Sequence, residues 1–316
     1  MNKKITTLVL GLLSFGASYA QQDAGLSMYF FNPLYVNPAY AGSREVFSGT
    51  LVNRSQWVSM PGAPTSQYLG LHSAIPNSRV GLGLQIYNDK AGPLQNTGIT
   101  LTYAYHLPIN AKTKLSFGLS GMVNNLRINY NQISIEDKDD NSFAGNNSSS
   151  WVPDANAGLY LYHSRFYAGL SVNHLLQSKF DLTDAPPANL AKFYREYYLT
   201  AGIVVPLSKN LDLRPSILLK QVQAAPLLGE ADATFIIHRR FYLGAGYRVD
   251  KRVDIAGTDN MLIGIIQVEL TNFLRIGYSY DYYLNRHGVY NSGTHEIMLG
   301  WDIGYTKTKM SSPRFF

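Results

Sequence analysis

From Arg44 onward, apolar and polar residues take turns in segment after segment, and a side-chain period of two is the geometry of a β-strand. In FLRIGYSYDYY, Leu274, Ile276, Tyr278, Tyr280 and Tyr282 share one face, and Arg275, Gly277, Ser279 and Asp281 share the other. TGITLTYAYHL sets Ile99, Leu101, Tyr103, Tyr105 and Leu107 against Thr100, Thr102, Ala104 and His106. RVGLGLQIY and HEIMLGWDIGY divide in the same way. One face is aliphatic with aromatics toward the ends; the other carries glycine, hydroxyls, amides and charge.

Soluble sandwiches alternate too, so three further features decide the class. The segments run about 9–11 residues, the length that crosses a bilayer at a steep tilt. Connections alternate in length. PNSR, PINAKT, HSR, PLSKN, HRR and LTN are short, whereas NDKAGPLQN, residues 131–151, residues 174–196, RVDKRVDIAGTDN and DYYLNRHGVYNSGTHE are long. Short turns on one rim and long loops on the other form the pattern of an outer-membrane barrel. The polar face also holds Glu269, Arg275, Asp281, Glu296 and Asp302, which a wet lumen tolerates and a sandwich core does not. The expectation is all-β: a transmembrane antiparallel β-barrel of the bacterial outer membrane, about 14 strands over residues 46–305. An even count returns both ends to the periplasm. Val46–Trp57, Gln67–Ala74 and Leu228–Ile237 are its faintest strands.

The ends and the composition agree with export. Lys3 and Lys4 precede the apolar Ile5–Phe15, and Ser18-Tyr19-Ala20 offers small residues for cleavage before Gln21, so residues 1–20 read as a signal peptide. That apolar run is shorter than the roughly 20 residues of a spanning helix. The net charge of +6 becomes +4 without Lys3 and Lys4, and basic residues are scattered singly, which argues against nucleic acid as a partner. With no cysteine, the chain has no disulfide framework, thiol nucleophile or cysteine zinc site. Its 23 tyrosines suit membrane–water interfaces.

Between leader and barrel, residues 21–45 are a separate problem. FFNPLYVNPAYAGS, Phe30 to Ser43, is too apolar for a loose tail and too broken by proline for a long helix or strand. Asn37-Pro38 suits a capped helix start or tight turn, and Gly42 can end it at positive φ. Phe30, Phe31, Tyr35 and Tyr40 need burial, under the barrel mouth or inside it. Two compatible readings stand: a plug sealing the pore, or a docking surface for a periplasmic partner.

NPLYVNPAYAGS, NRSQW (Asn53 to Trp57) and PGAPTSQYLGL (Pro61 to Leu71), together with the ending SPRFF (Ser312 to Phe316), resemble the PorP/SprF family. That family comprises outer-membrane proteins of the type IX secretion system of Bacteroidetes. The resemblance runs the length of the chain, and its specific part is the Asn-Pro-Ala-aromatic motif followed by Gly and then Gln-Trp. It implies a non-enzymatic role in secretion and gliding motility, with no cofactor: secretion or surface attachment of cargo such as adhesins with a C-terminal sorting domain. Periplasmic type IX secretion components and outer-membrane lipid are the other implied partners. Carried over, the motif marks Asn37, Pro38, Ala39, Tyr40, Gly42, Gln56, Trp57 and Pro64 as structural or partner-binding. Residues 306–316 are expected to form a C-terminal periplasmic tail.

Candidates for chemistry are weak. None of the seven histidines pairs at metal-ligand spacing. His287 and His295 share a loop and strand start with Asp281 and Glu296, as a surface hydrolase would require, though a hydrated loop has the same composition. There is no G-x-S-x-G elbow and no P-loop. Ser134–Ser142 is acidic but lacks the spaced pattern of a calcium loop. Arg275, Asp281 and Glu269 read as a lumenal pairing network rather than a selectivity ring. Cargo docking is expected at outer loops and strand edges, first at Asn131–Trp151 and His174–Glu196, where Leu175, Leu176, Phe180, Leu190 and Phe193 exceed what a solvated loop requires. The alternatives are an outer-membrane solute or fatty-acid-type channel and an outer-membrane hydrolase.

Overall fold

The computed structural model describes residues 25–129, 148–180, 192–223, 225–254, 257–284 and 291–304. The expected signal peptide and C-terminal tail, the acidic stretch Ser134–Ser142, and Leu190 and His287 lie outside these residues.

Fifteen extended segments follow three short 3-10 turns: β1 (Phe47–Ser55), β2 (Thr65–Ala74), β3 (Val80–Ala91), β4 (Leu94–Pro108), β5 (Thr113–Ile128), β6 (Ser148–His163), β7 (Phe166–Asn173), β8 (Glu196–Ile203), β9 (Val205–Pro206), β10 (Leu211–Val222), β11 (Leu228–Ile237), β12 (Phe241–Asp254), β13 (Gly257–Glu269), β14 (Leu274–Tyr283) and β15 (Thr294–Ile303). β8 and β9 succeed one another along β10 and form a single strand interrupted at Val204, so the barrel has 14 strands. Each pairs antiparallel with its chain neighbours. β1 closes the ring on β15, with Leu51 opposite Leu69 on one side and Leu299 on the other. Closure gives every strand of the ring a partner on both sides, the condition for a sheet to cross hydrocarbon.

The period of two sorts the side chains as expected. Leu101 is 66% exposed and Leu119 is 63% exposed on the outer face, whereas Arg275, Ser279 and Asp281 are buried inside. A belt of exposed Leu, Ile, Phe and Tyr around a charged interior makes sense when lipid is the outer solvent. The ends of β1 and β15 share the short-turn rim with the β2–β3, β4–β5 and β6–β7 turns. At one of these turns the Asn110 side chain accepts from the amides of Lys112 and Thr113 at 2.9 and 2.8 Å.

Two expected long loops prove to be strand. NDKAGPLQN continues the β3–β4 ladder to Ala91 opposite Leu94, turning at Gly92 with φ +55°. RVDKRVDIAGTDN is likewise largely β12 and β13, with a register shift between Asp250 and Asp254. Above the bilayer neither face of a hairpin meets lipid, so alternation disappears while the backbone ladder persists. For the same reason β4, β5 and β6, at 15, 16 and 16 residues, exceed the length that crossing requires.

Candidate functional site

Every residue from Leu26 to Arg44 except the half-buried Tyr35 is buried inside the barrel. The segment descends the lumen from the long-loop half to the short-turn rim, then enters β1. Proline breaks it into 3-10 turns at Tyr29–Phe31, Pro33–Tyr35 and Pro38–Tyr40, because each Pro fixes φ while removing a donor.

Its upper end is tied by charge. Ser27 and Met28 donate their amides to Glu296 Oε2 and Oε1 at 2.8 and 3.0 Å, and the Ser27 hydroxyl donates to Asp281 Oδ2 at 2.8 Å. Arg54 completes the group, reaching Asp281 at 2.6 Å and Glu296 at 3.0 Å. Arg248, paired with Glu230 at 2.5 Å, donates to the Leu26 carbonyl at 3.2 Å. Burying such carboxylates is costly unless donors surround them. Below them the Arg214 guanidinium lies 4.3 Å from the Phe30 ring and 4.6 Å from the Phe31 ring, and Phe31 meets Tyr242 edge-on at 5.5 Å. Tyr29 donates to Asp232 at 3.0 Å. Burial first, and the Asp232 carboxylate second, raise its phenol well above the usual tyrosine range, so it remains a donor.

The middle is the Asn-Pro motif. Asn37 is extended and caps the last 3-10 turn, its Oδ1 accepting from the Ala39 amide at 2.9 Å, with Pro38 at the first helical position. Its Nδ2 donates to the Leu159 and Leu170 carbonyls at 2.8 and 3.3 Å. The wall accommodates this by carrying glycine: a Cβ at Gly118 would overlap the Ala39 backbone, and one at Gly158 the Asn37 amide.

At the short-turn rim Gly42 has φ +80°, and its missing Cβ would lie 2.5 Å from Gly81 Cα. Its amide donates to His72 Nδ1 at 3.1 Å. His106 Nε2 donates to the Ala41 carbonyl at 2.9 Å while the Tyr162 hydroxyl donates to His106 Nδ1 at 2.9 Å. Arg44 and Arg275 share Asp302 at 3.7 and 2.7 Å, and Glu45 pairs with Lys114.

The motif residues therefore fall into two groups that the fold does not bring together. Asn37, Pro38, Ala39, Tyr40 and Gly42 are buried in the lumen, out of reach of any partner in this conformation. Gln56, Trp57 and Pro64 shape the β1–β2 connection on the opposite rim. There the Gln56 amide donates to the Pro64 carbonyl at 2.9 Å, and Trp57 lies 6.5 Å from Tyr283. The loop aromatics expected to face cargo turn inward instead: Phe180 and Phe193 are buried against Leu126 and Val152, while Leu176 is 60% exposed and Leu175 half-buried. Aromatic payload there roofs the inner face of the β5–β6 hairpin. Asp281 and Glu296 point into the lumen whereas His295 lies outside against Tyr278 at 2.7 Å, so the hydrolase grouping is split by the wall. The lumenal pairing network is present, through Arg54 and Asp302. Sequence reasoning missed Ser27, Arg54 and Arg248; the one signal for them was an excess of lumen carboxylates needing donors. Among the described residues, no group of three or more His, Asp or Glu is placed to hold a metal ion.

Comparison with solved structures shows the same kind of barrel. The chain is similar to the CymD monoaromatic hydrocarbon channel (TM-score 0.53, 11% identity, covering 92% of this chain and 96% of that one). It is also similar to the TodX deltaS2S3 mutant monoaromatic hydrocarbon channel (TM-score 0.50, 10% identity, 86% and 94% covered). Identity at this level speaks to fold alone. The search of curated proteins finds no match. A family model matches residues 18–301, spanning both the plug and nearly all of the barrel. On that match, and on the barrel that carries it, the chain belongs to the PorP/SprF family of type IX secretion system membrane proteins.

Proposed function

We propose that this protein is a non-enzymatic outer-membrane component of the type IX machinery that helps secrete cargo proteins with a C-terminal sorting domain, or anchors them at the cell surface. The observation that carries this reading is the filled lumen. A barrel whose interior is occupied by its own residues 26–44, held by ion pairs and buried aromatics, offers surfaces rather than a passage. The surfaces available to cargo are the long-loop rim and the hairpins of β3–β4, β5–β6 and β12–β13 that rise above the bilayer. Exposed Trp151 and Leu176 supply apolar contact there.

The test is affinity purification of the barrel from outer membranes, with identification of what accompanies it. A secreted protein bearing a C-terminal sorting domain is the expected companion; recovery of the barrel alone, under conditions that preserve other membrane complexes, overturns the reading. The rival, a small-solute channel, draws on the hydrocarbon-channel likeness. A steady open conductance from the isolated full-length barrel would favour it.

A further inference from the structure

The wall is least well stitched where Asn37 touches it. β6 and β7 face one another over six residue pairs, Ala157 opposite Val172 through Tyr162 opposite Tyr167, against sixteen between β5 and β6. Counting β8 and β9 as one strand, this is the shortest seam of the described ring. β7 ends at Asn173 while β6 runs on through residues 148–156. Along that overhang Pro153 has no N–H to give, the Ala155 amide donates to Asp154 at 2.7 Å, and Ala155 O accepts from Leu175 at 2.9 Å. Among the described residues, nothing there extends the ladder as a strand.

The inner side of the short seam is held by the plug. Asn37 Nδ2 donates to Leu159 O on β6 and to Leu170 O on β7, two residues directly opposite each other. The Ser171 hydroxyl on β7 donates to the Val36 carbonyl at 2.5 Å. Both strands are glycine beneath the amide: a Cβ at Gly158 would overlap it, and one at Gly169 would lie 2.9 Å from Nδ2. On the lipid side the same seam lies under a depression of about 600 Å³ bordered by Leu119, Leu159, Leu170 and Tyr197. One backbone layer separates plug from bilayer.

We propose that the β6–β7 seam is a lateral gate between lumen and bilayer, latched from within by the Asn37 side chain. With the plug seated, one amide bridges both strands; with it withdrawn, six pairs alone hold the wall closed.

Amide hydrogen exchange on the full-length protein in lipid nanodiscs tests this. Asn37→Asp keeps the oxygen that caps Ala39 and replaces the bridging donors with an acceptor facing two carbonyls. Exchange at Leu159, Leu161, Ala168 and Leu170 is expected to accelerate about tenfold or more, with β4–β5 amides unchanged. Tyr29→Phe loosens the plug at Asp232 while leaving the Asn37 bridge in place, and should leave those rates within about twofold of wild type. Should Asn37→Asp not fold, Gly169→Ala displaces the latch from the wall side and carries the same expectation. Seam rates equal to wild type in the latch variants, or equal acceleration by Tyr29→Phe, overturn the proposal.

Discussion

Arg54 shows how a single side chain sets the state of the plug. It is 2% exposed and touches Asp281, Glu296 and the Ser27 hydroxyl, so its removal leaves two buried carboxylates without their ion-pair partner. Breaking a buried pair of this kind costs about 3–5 kcal/mol, far more than the same pair would contribute at a surface. Arg54→Leu is therefore expected to lower the temperature at which the compact barrel is lost on unheated gels. Adding Asp281→Asn and Glu296→Gln to it should recover part of the loss. A single variant as stable as wild type would mean that water, not Arg54, satisfies those carboxylates. Wall glycines act oppositely, by absence. Gly118→Val should prevent Ala39 from seating, and its expected readout is intermittent conductance in planar bilayers where the wild type is silent.

At the scale of elements, the strands that meet lipid on one face were legible because solvent reads every second residue. β14 and β4 followed their predicted faces residue by residue. β13 could not be read this way, because its inner face is also apolar: Met261, Ile263 and Ile265 pack the plug while Leu262 and Ile266 face out. Its near-continuous MLIGII run was the sequence trace of a plug on the other side of the wall. The hairpin extensions escaped because nothing apolar surrounds them. The Asn37 cap and the Gly42 turn were legible from local chemistry, but the partners of Asn37 come from β6 and β7, more than a hundred residues away. The loop aromatics Phe180 and Phe193 misled because composition reports that burial is needed, not against what. Replacing both by serine should expose Leu126 and Val152. The expected result is faster protease cutting within residues 174–195 with the barrel band intact on gels.

For the whole molecule, the decisive relation is that wall and plug are one chain and bury one another. The Tyr29, Phe30, Phe31 and Tyr40 side chains are each at most 7% exposed, and such burial contributes roughly 1.5–3 kcal/mol apiece. In return the plug supplies the donors and apolar contacts that the wall's inward charges and β13 require. Neither part has a low-energy form without the other, which predicts a single cooperative transition rather than early release of the plug. The absence of cysteine makes this measurable with one label. Val36→Cys places a thiol of smaller volume at a 3% exposed plug position. Its reaction with a thiol reagent during stepwise heating should begin at the temperature where the compact gel form disappears. Labelling that completes well below that temperature would make the plug an independently mobile stopper, and gating would then require no more than thermal motion. Coincident transitions mean that an outside force must unseat it: a partner binding at the rim, or one pulling on the residues that precede Gly25.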